Sequence, residues 1–325
     1  MDWTHRTSYP ALPLVLLRIA AFLAMACDTA AQAWVPEAGV GSVTLSYQRI
    51  TNTGHRRSNG FLAEVGPSLN MGLYLEAEYA VTNRLSLAAG LPYVFAKYTA
   101  PKPPPPPIPI LPWDQCHCWQ SGWQDWGFTA RYNVVTAGDG AFALTPSLSV
   151  GMPSHDYEFR GEAVLGRHLR EVRVAMDAGL RLDRISRNLS VQGRYSYAFV
   201  ERVIGIPNNR SNANVEGAYL LLKEKLAARG LASWQRTHGG LLFGSPEPAT
   251  LVFPGEVNTP ERVFQHDRIM RDNYFHAGGG ISYSFPQLDV FASYIAFVSG
   301  TDTHAGRALT IGVSWPFELS RARRH

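Results

Sequence analysis

The sequence predicts an all-β protein, an antiparallel transmembrane β-barrel of about 12 strands. Twelve stretches alternate apolar and polar residues, as strands with one apolar and one polar face do. The connections between them alternate between tight turns and long loops. The chain also begins with the pattern of an export signal. A closed sheet pairs every backbone N–H and C=O, so exported strands with an apolar face can cross a bilayer in this form.

The alternation is clearest over residues 171–182. Charged residues on one face of this segment would point into the barrel, and apolar residues on the other face would meet lipid. The apolar face comprises Val172, Val174, Met176, Ala178, Leu180 and Leu182, and the charged face carries Glu171, Arg173, Asp177 and Arg181.

An export signal is predicted at the start of the chain. A basic beginning and an apolar run over residues 11–26 precede Ala31-Gln32-Ala33, which has the small-x-small form of a cleavage site. The sequence therefore predicts secretion and insertion into a bacterial outer membrane. The predicted boundaries are 1–33 for the signal peptide, 34–318 for the barrel and 319–325 for a basic C-terminal tail.

Composition limits the other classes of function. After the signal, no run reaches the roughly 18 consecutive apolar residues of a membrane helix. The net charge of +4 includes the basic tail, and no basic domain with interleaved aromatic residues is present. We therefore predict membrane lipid as a partner and no nucleic acid or cofactor, while the oligomeric state is left open.

In chain order, the predicted strands are 42–50, 68–80, 84–98, 124–136, 141–152, 169–182, 188–200, 212–222, 226–237, 272–285, 287–299 and 307–317. The tight links follow the even-numbered strands and are 81–83, 136–140, 183–187, 222–225 and Pro286; all but 222–225 contain an Asn, Gly, Asp or Pro, the residues that turn a chain sharply. The long loops follow the odd-numbered strands: 51–67, 99–123, 153–168, 201–211, 238–271 and 300–306. Short turns are typical of the periplasmic end and long loops of the outer end.

Two alternatives to this architecture remain open at the level of sequence. The strands at 212–222 and 287–299 alternate least clearly, so ten or fourteen strands are alternatives. A soluble sandwich or secreted barrel would show the same period with its apolar face turned inward. The signal, the loop asymmetry and the apolar, aromatic last strand favour the membrane barrel. That strand presents Leu309, Ile311, Val313, Trp315 and Phe317 on one face.

The predicted inner wall is polar and carries both signs of charge. Opposite charges could pair and fill the interior, or they could line a selective pore. Twelve strands at about 4.8 Å spacing and about 40° tilt give a diameter of about 24 Å, leaving about 10 Å between side chains. The predicted pore-lining residues are Glu76, Glu78, Asp125, Arg131, Glu171, Arg173, Asp177, Arg181, Arg194, Glu216, Arg229 and Asp272.

The loop 99–123 is predicted to be an extracellular insertion. Its proline run, 103–107, favours a stiff polyproline helix. Cys116, His117 and Cys118 follow, flanked by tryptophans. The two cysteines are candidates for a disulfide that staples the loop, and with His117 they are alternatively a redox pair or a soft-metal site.

Histidines raise the question of catalysis. A hydrolase needs a Ser or Cys within reach of a base that a third group orients. Ser154, His155 and Asp156 supply these types, but consecutive loop residues are expected to point apart. We predict that the protein is not an enzyme. The histidines considered are His155, His168, His238, His266, His276 and His304.

Several stretches together resemble the bacterial outer-membrane proteins called "meta-pathway of phenol degradation"-like transporters. The resemblance implies an outer-membrane barrel that admits hydrophobic or aromatic compounds, and it carries no catalytic residues. The chain departs from barrels that end on a terminal Phe, because it continues after Phe317. The resembling stretches are 33–36, 41–48, 79–87, 91–93, 153–157, 166–171, 195–198 and 312–317.

The sequence thus predicts a passive channel or uptake pore for a small organic solute. Only residues 34–41 precede the first predicted strand, so no plug domain is expected. The alternatives are a structural barrel with a salt-bridge-filled lumen and partner-binding outer loops, and, third, a barrel hydrolase.

Overall fold

The computed structural model describes residues 33–63, 67–99, 111–242 and 260–319. The predicted signal peptide up to residue 32, the proline run and residues 320–325 of the basic tail lie outside the described residues. None of the helices in the described ranges is long and apolar enough to cross a membrane. These helices are α1 (Pro112–Gln115), α2 (Pro260–Phe264) and α3 (His266–Ile269).

The described residues form one 15-stranded sheet that closes on itself. Twelve long strands make the barrel wall, and β2, β5 and β7 are short additions. The strands are β1 (Val40–Arg56), β2 (Leu62–Ala63), β3 (Ser68–Ala80), β4 (Leu85–Tyr98), β5 (Gln120–Trp123), β6 (Asp125–Tyr132), β7 (Val135–Ala137), β8 (Phe142–Pro153), β9 (Glu171–Arg181), β10 (Leu189–Val200), β11 (Asn208–Leu221), β12 (Leu226–Gly239), β13 (Asn273–Ser284), β14 (Asp289–Thr301) and β15 (Thr303–Glu318).

Closure occurs between the first and the last strand. β15 pairs antiparallel with β1 from Val40↔Glu318 to Arg56↔Thr303. Each wall strand is hydrogen-bonded to a neighbour on both sides, so the wall has no open edge. The prediction of a closed, twelve-stranded antiparallel barrel is confirmed, and the alternatives of ten or fourteen strands are wrong.

The predicted long loop at 300–306 is wrong. β14 ends at Thr301 and β15 begins at Thr303, so the single residue Asp302 connects them. Asp302 adopts a left-handed backbone with φ of 54°. The apolar alternation stops in this region, but β15 still pairs with β1 up to Arg56↔Thr303, and β14 still pairs with β13 up to Asn273↔Thr301. Strands can extend beyond the bilayer in this way because both of their faces then meet water or protein. β11 likewise begins at Asn208, inside the predicted loop 201–211.

The strand at 287–299 is real although it has apolar residues on its inner face. The side chain of Phe291 is buried, and a Cβ at Gly312 would lie within van der Waals overlap of its ring. Gly312 on the adjacent strand β15 therefore leaves the space that the Phe291 ring fills. The weak alternation in this segment comes from ring packing on the inner wall.

The outer face of the wall is apolar. On β9, Met176 is 42% exposed, whereas the next residue, Asp177, is 0% exposed. The same alternation of exposed apolar and buried polar residues recurs around the barrel, so the exposed residues form a belt for lipid. Other members of this belt are Leu73, Leu75, Phe128, Leu148, Val172, Val174, Val215, Leu309 and Ile311.

A charge in this belt should destabilise the barrel. Met176 lies at the middle of β9, so Met176→Arg would place a guanidinium near the bilayer midplane. We expect it to lower the free energy of unfolding in lipid vesicles by about 2–4 kcal/mol, measured by denaturant titration. Met176→Leu is the control and should change it by less than about 1.5 kcal/mol. Equal stability of the two variants would contradict a lipid-facing position.

Tight turns connect the strands at the end of the barrel where β1 begins and β15 ends. The turn between β11 and β12 has three residues with left-handed backbone, Leu222, Lys223 and Glu224, with φ of 50°, 57° and 69°. In the turn between β3 and β4, Asn83 Oδ1 accepts a hydrogen bond of 2.8 Å from Ala38 N. By the rule for outer-membrane barrels, this is the periplasmic end.

Loops pack into a cap at the opposite end. One buried cluster contains Tyr98, Tyr157, Ala163 and Leu165. A second buried cluster joins α3 to the end of β10 and to the loop that follows β10. Asp114 of α1 accepts hydrogen bonds of 3.0 Å from Glu162 N and Ala163 N. Burial raises the pKa of the Asp114 carboxyl, against the opposing effect of those two N–H donors. The outer loops are therefore folded against one another.

Candidate functional site

The candidate site is the lumen. The predicted pore-lining residues of the strands alternate with the apolar belt and therefore lie on the inner wall. Asp125 is the first residue of β6, and Asp272 directly precedes β13, so these two lie at the outer end. Those within the strands are Glu76, Glu78, Arg131, Glu171, Arg173, Asp177, Arg181, Arg194, Glu216 and Arg229.

Ion pairs follow the middle of the wall. Arg194 makes a bidentate pair with Asp177, with Nε–Oδ1 at 2.6 Å and Nη2–Oδ2 at 3.0 Å. Arg131 Nη1 lies 3.1 Å from Glu78 Oε1. Because Arg131 is on β6 and Glu78 on β3, this pair spans the intervening strand β4. Pairing across strands stiffens the wall and reduces the net electric field that the wall charges produce in the lumen.

A further pair lies between adjacent strands. Arg229 Nη1 of β12 lies 3.4 Å from Glu216 Oε1 of β11. Both side chains are almost fully buried. Arg181 is different, because its Nη2 donates to Asp139 O at 3.0 Å at the periplasmic turns, and 40% of its side chain is exposed.

A denser charge cluster lies toward the outer end. Glu171 accepts from Arg173 Nη2 at 2.5 Å and also from Arg210 Nη2. Asp272 accepts from Arg167 Nη2 at 2.5 Å. Three guanidiniums thus surround two carboxylates. Arg167 and Arg210 are not among the predicted pore-lining residues, because both lie in predicted loops. The alternation of β11, when it is continued to the start of the strand at Asn208, places Arg210 on the inner wall.

The ion pairs leave buried polar atoms of the wall unsatisfied. Among the described residues, the buried wall atoms without a hydrogen-bond partner include Asn70 Oδ1, Ser86 Oγ, Arg173 Nε, Arg181 Nε and Arg210 Nε. An unpaired buried donor or acceptor costs about 1–3 kcal/mol unless water reaches it. A wall of this kind is compatible with a wetted lumen.

The residues before β1 enter the periplasmic end of the lumen. Trp34 Nε1 donates to Gly140 O at 2.9 Å, and Ala33 O accepts from Thr145 Oγ1 at 2.5 Å. A Cβ at Gly179, on the inner face of β9, would lie 2.5 Å from the Trp34 ring. The residues before β1 therefore narrow the periplasmic end of the lumen, which was not predicted from the sequence.

A cavity of about 200 Å³ lies inside the outer end, along β13, β14, β15 and β1. The rings of Tyr274 and His276 stack at its wall with centroids 4.4 Å apart. Arg167 and Asp272 supply a charged edge, and Ile295 an apolar one. The cavity therefore combines aromatic, apolar and charged surface.

Cys116 and Cys118 are joined by a disulfide that follows α1. With both sulfurs in the bond, neither is the thiolate that a metal would require. His117 Nδ1 lies 3.2 Å from Tyr98 O, so this residue contacts the end of β4.

Two serine–histidine contacts occur near the outer end. Ser154 Oγ lies 2.8 Å from His155 Nδ1, so these neighbours do meet, contrary to the expectation from sequence. Asp156 does not complete a triad, because its Oδ1 lies 3.6 Å from His168 Nε2 instead. Ser211 Oγ lies 2.8 Å from His238 Nε2. Neither His155 nor His238 lies at ion-pair distance from a carboxylate within the described ranges.

No protein-family model matches the chain, and no curated protein matches it. Among solved structures, the COG4313 outer-membrane channel from Pseudomonas putida F1 superposes with a TM-score of 0.65 at 12% identity, over 88% of this chain and 98% of that chain. The β-domain of the Bordetella autotransporter BrkA gives 0.49 at 13% identity (86% and 100%), and the NanC porin gives 0.44 at 9% (83% and 98%); scores this low support no conclusion. The first likeness shows that the chain has the fold of an outer-membrane barrel.

Proposed function

We propose that this protein is an outer-membrane channel through which a small organic solute passes passively. The observation that carries the proposal is the charged, polar inner wall of a closed sheet whose outer face is an apolar belt. Charged and polar side chains on the inner wall favour water in the lumen, and a wetted lumen inside an apolar belt is a path across a membrane. The fold shared with a solved outer-membrane channel supports this function.

The solute we propose is small and aromatic. The outer cavity, at about 200 Å³, is of the size that holds one benzene-like ring, since an apolar cavity of about 150 Å³ binds benzene. Tyr274 and His276 offer ring faces. Arg167 already donates to Asp272, but the cluster of three guanidiniums and two carboxylates around it has a net positive charge, which suits a hydroxyl or carboxylate. The sequence resemblance to transporters associated with phenol degradation points to the same class.

A second candidate is a structural barrel whose ion pairs fill the lumen and whose outer loops bind a partner. The observation in its favour is that Asp177, Glu78 and Glu216 are each paired with an arginine. Under this alternative the same wall would be a rigid scaffold.

Swelling of proteoliposomes separates the two candidates. Vesicles containing the purified barrel are mixed with isosmotic benzoate or a neutral sugar, and light scattering reports entry. The channel predicts that benzoate enters faster than it enters protein-free vesicles. Folded barrels, verified by heat-modifiable migration, that never speed entry would contradict the channel and favour the scaffold.

Removing the Trp34 ring should widen the path. Because Trp34 lies against the inner wall at Gly179, Trp34→Ala deletes an indole from the periplasmic end of the lumen. We expect the single-channel conductance to rise by about 1.5-fold or more, since the narrowest segment sets the resistance. Trp119→Ala is the control, because Trp119 is exposed on the outer cap. Unchanged conductance in Trp34→Ala would place the constriction elsewhere.

A further inference from the structure

Three histidines from distant parts of the chain meet at the outer end of the barrel. His55 of β1 and His304 of β15 are paired residues in the ladder that closes the wall. His266 is the first residue of α3, in the segment between β12 and β13. The His55 ring centroid lies 4.1 Å from that of His304 and 5.5 Å from that of His266. The three histidines thus join the closing seam of the barrel to its cap.

The geometry of the three imidazoles fits a metal ion. One ring nitrogen of each histidine lies within 4.8 Å of those of the other two. In a tetrahedral zinc site with Zn–N of about 2.0–2.1 Å, ligand nitrogens are about 3.4 Å apart. Closing the remaining distance requires small side-chain rotations. His55 and His266 are each 3% exposed, so their rings are held by packing.

A carboxylate lies beside two of the three histidines. Asp267 Oδ1 is 3.3 Å from His266 Nε2 and 3.4 Å from His304 Nε2. Among the described residues this buried oxygen accepts no hydrogen bond. Glu162 Oε2 is 3.9 Å from His266 Nε2, which adds negative charge nearby. Three imidazoles are a zinc donor set in themselves, and a carboxylate beside two of them would add an oxygen ligand.

We propose that His55, His266 and His304, together with Asp267, bind one divalent ion of the zinc class. An ion can reach the site through the outer cavity of about 200 Å³, which His304 lines together with Asn52 and Thr303. The bound ion ties α3 to β1 and β15, and so fixes the cap over the mouth of the barrel.

The same contacts also fit a site without a metal, in which Asp267 is the counter-ion of a protonated imidazole. Protonation of more than one of these rings would bring like charges within 4.8 Å, whereas a metal ion holds all three neutral. The two accounts differ in whether the folded barrel binds zinc with a defined stoichiometry.

The test uses the folded full-length barrel, free of any affinity tag and stripped with chelator. Zn²⁺ is titrated by isothermal calorimetry, and Co²⁺ is used as a spectroscopic probe of coordination. The proposal predicts one Zn²⁺ per chain and the intense visible bands of four-coordinate Co²⁺. It also predicts that bound Zn²⁺ raises the unfolding temperature.

The variants are His55→Gln, His304→Gln and Asp267→Asn, with His155→Gln as the matched control from the exposed outer loop. We expect at least a tenfold loss of Zn²⁺ affinity in each of the first two and none in the control. Asp267→Asn keeps the size of the side chain, so it replaces a histidine variant that does not fold as the test of the zinc site. Wild-type barrel without stoichiometric binding, or affinity that falls only in His155→Gln, would overturn the proposal.

Discussion

Replacing Arg173 and Arg181 together by glutamine is expected to shift the ion selectivity of the channel toward cations. Both are inner-wall residues of β9, with Arg173 in the charge cluster toward the outer end and Arg181 at the periplasmic end, and 38% and 40% of their side chains are exposed. A unit charge about 7 Å from a passing ion in water contributes about 0.6 kcal/mol. Two such charges give about 1 kcal/mol for each ion, favourable for a cation and unfavourable for an anion once they are removed, so the cation-to-anion permeability ratio should rise about thirtyfold at low ionic strength, measured as the reversal potential in a salt gradient.

The matched control removes the same charge elsewhere. Arg184 and Arg187 lie in the exposed turn between β9 and β10, so Arg184→Gln with Arg187→Gln changes the net charge equally but outside the lumen. This pair should leave the reversal potential nearly unchanged. Equal shifts in both double variants, or none in either, would remove Arg173 and Arg181 from the conduction path.

Breaking the Asp177–Arg194 pair should cost about as much stability as a charge placed in the lipid-facing belt. Asp177 is fully buried, and Arg194 reaches it with two hydrogen bonds. Asp177→Asn leaves the guanidinium without its counter-charge, and breaking a buried pair in this way costs about 3–5 kcal/mol. Because 21% of the Arg194 side chain is exposed to the lumen, we expect about 3 kcal/mol, measured by denaturant titration of the folded barrel.

Two comparisons make this prediction specific. The exposed pair of Arg160 and Glu158 in the outer loop should lose no more than about 1 kcal/mol in Glu158→Gln. Adding Arg194→Gln to Asp177→Asn removes the orphaned charge and should recover part of the loss. An Asp177→Asn barrel as stable as the wild type would mean that water, and not the pair, satisfies Asp177.

The wall could be predicted from the sequence because lipid enforces its pattern. Met176 and Asp177 must face opposite sides of the sheet, and every strand inside the bilayer repeats this rule. Above the bilayer the rule lapses, since both faces of a strand can be polar. For this reason the start of β15 at Thr303 was read as a loop, and the one-residue link at Asp302 was missed.

The partners of the wall residues could not be predicted. Alternation places Arg131 and Glu78 on the inner face, but their pairing across an intervening strand depends on register and shear. Trp34 lies outside any periodic segment, so nothing in the sequence indicates that its ring enters the lumen. The histidines at 55, 266 and 304 are brought together only by barrel closure and by the cap, and no local spacing marks them.

The most direct measurement is the single-channel conductance of the purified, refolded barrel in a planar bilayer, with benzoate and phenol added as blockers. A water-filled channel predicts stable conductance steps, and an aromatic solute added on the side of the outer loops should interrupt them. A barrel that is folded by heat-modifiable migration, yet never conducts, would contradict the claim of a water-filled path.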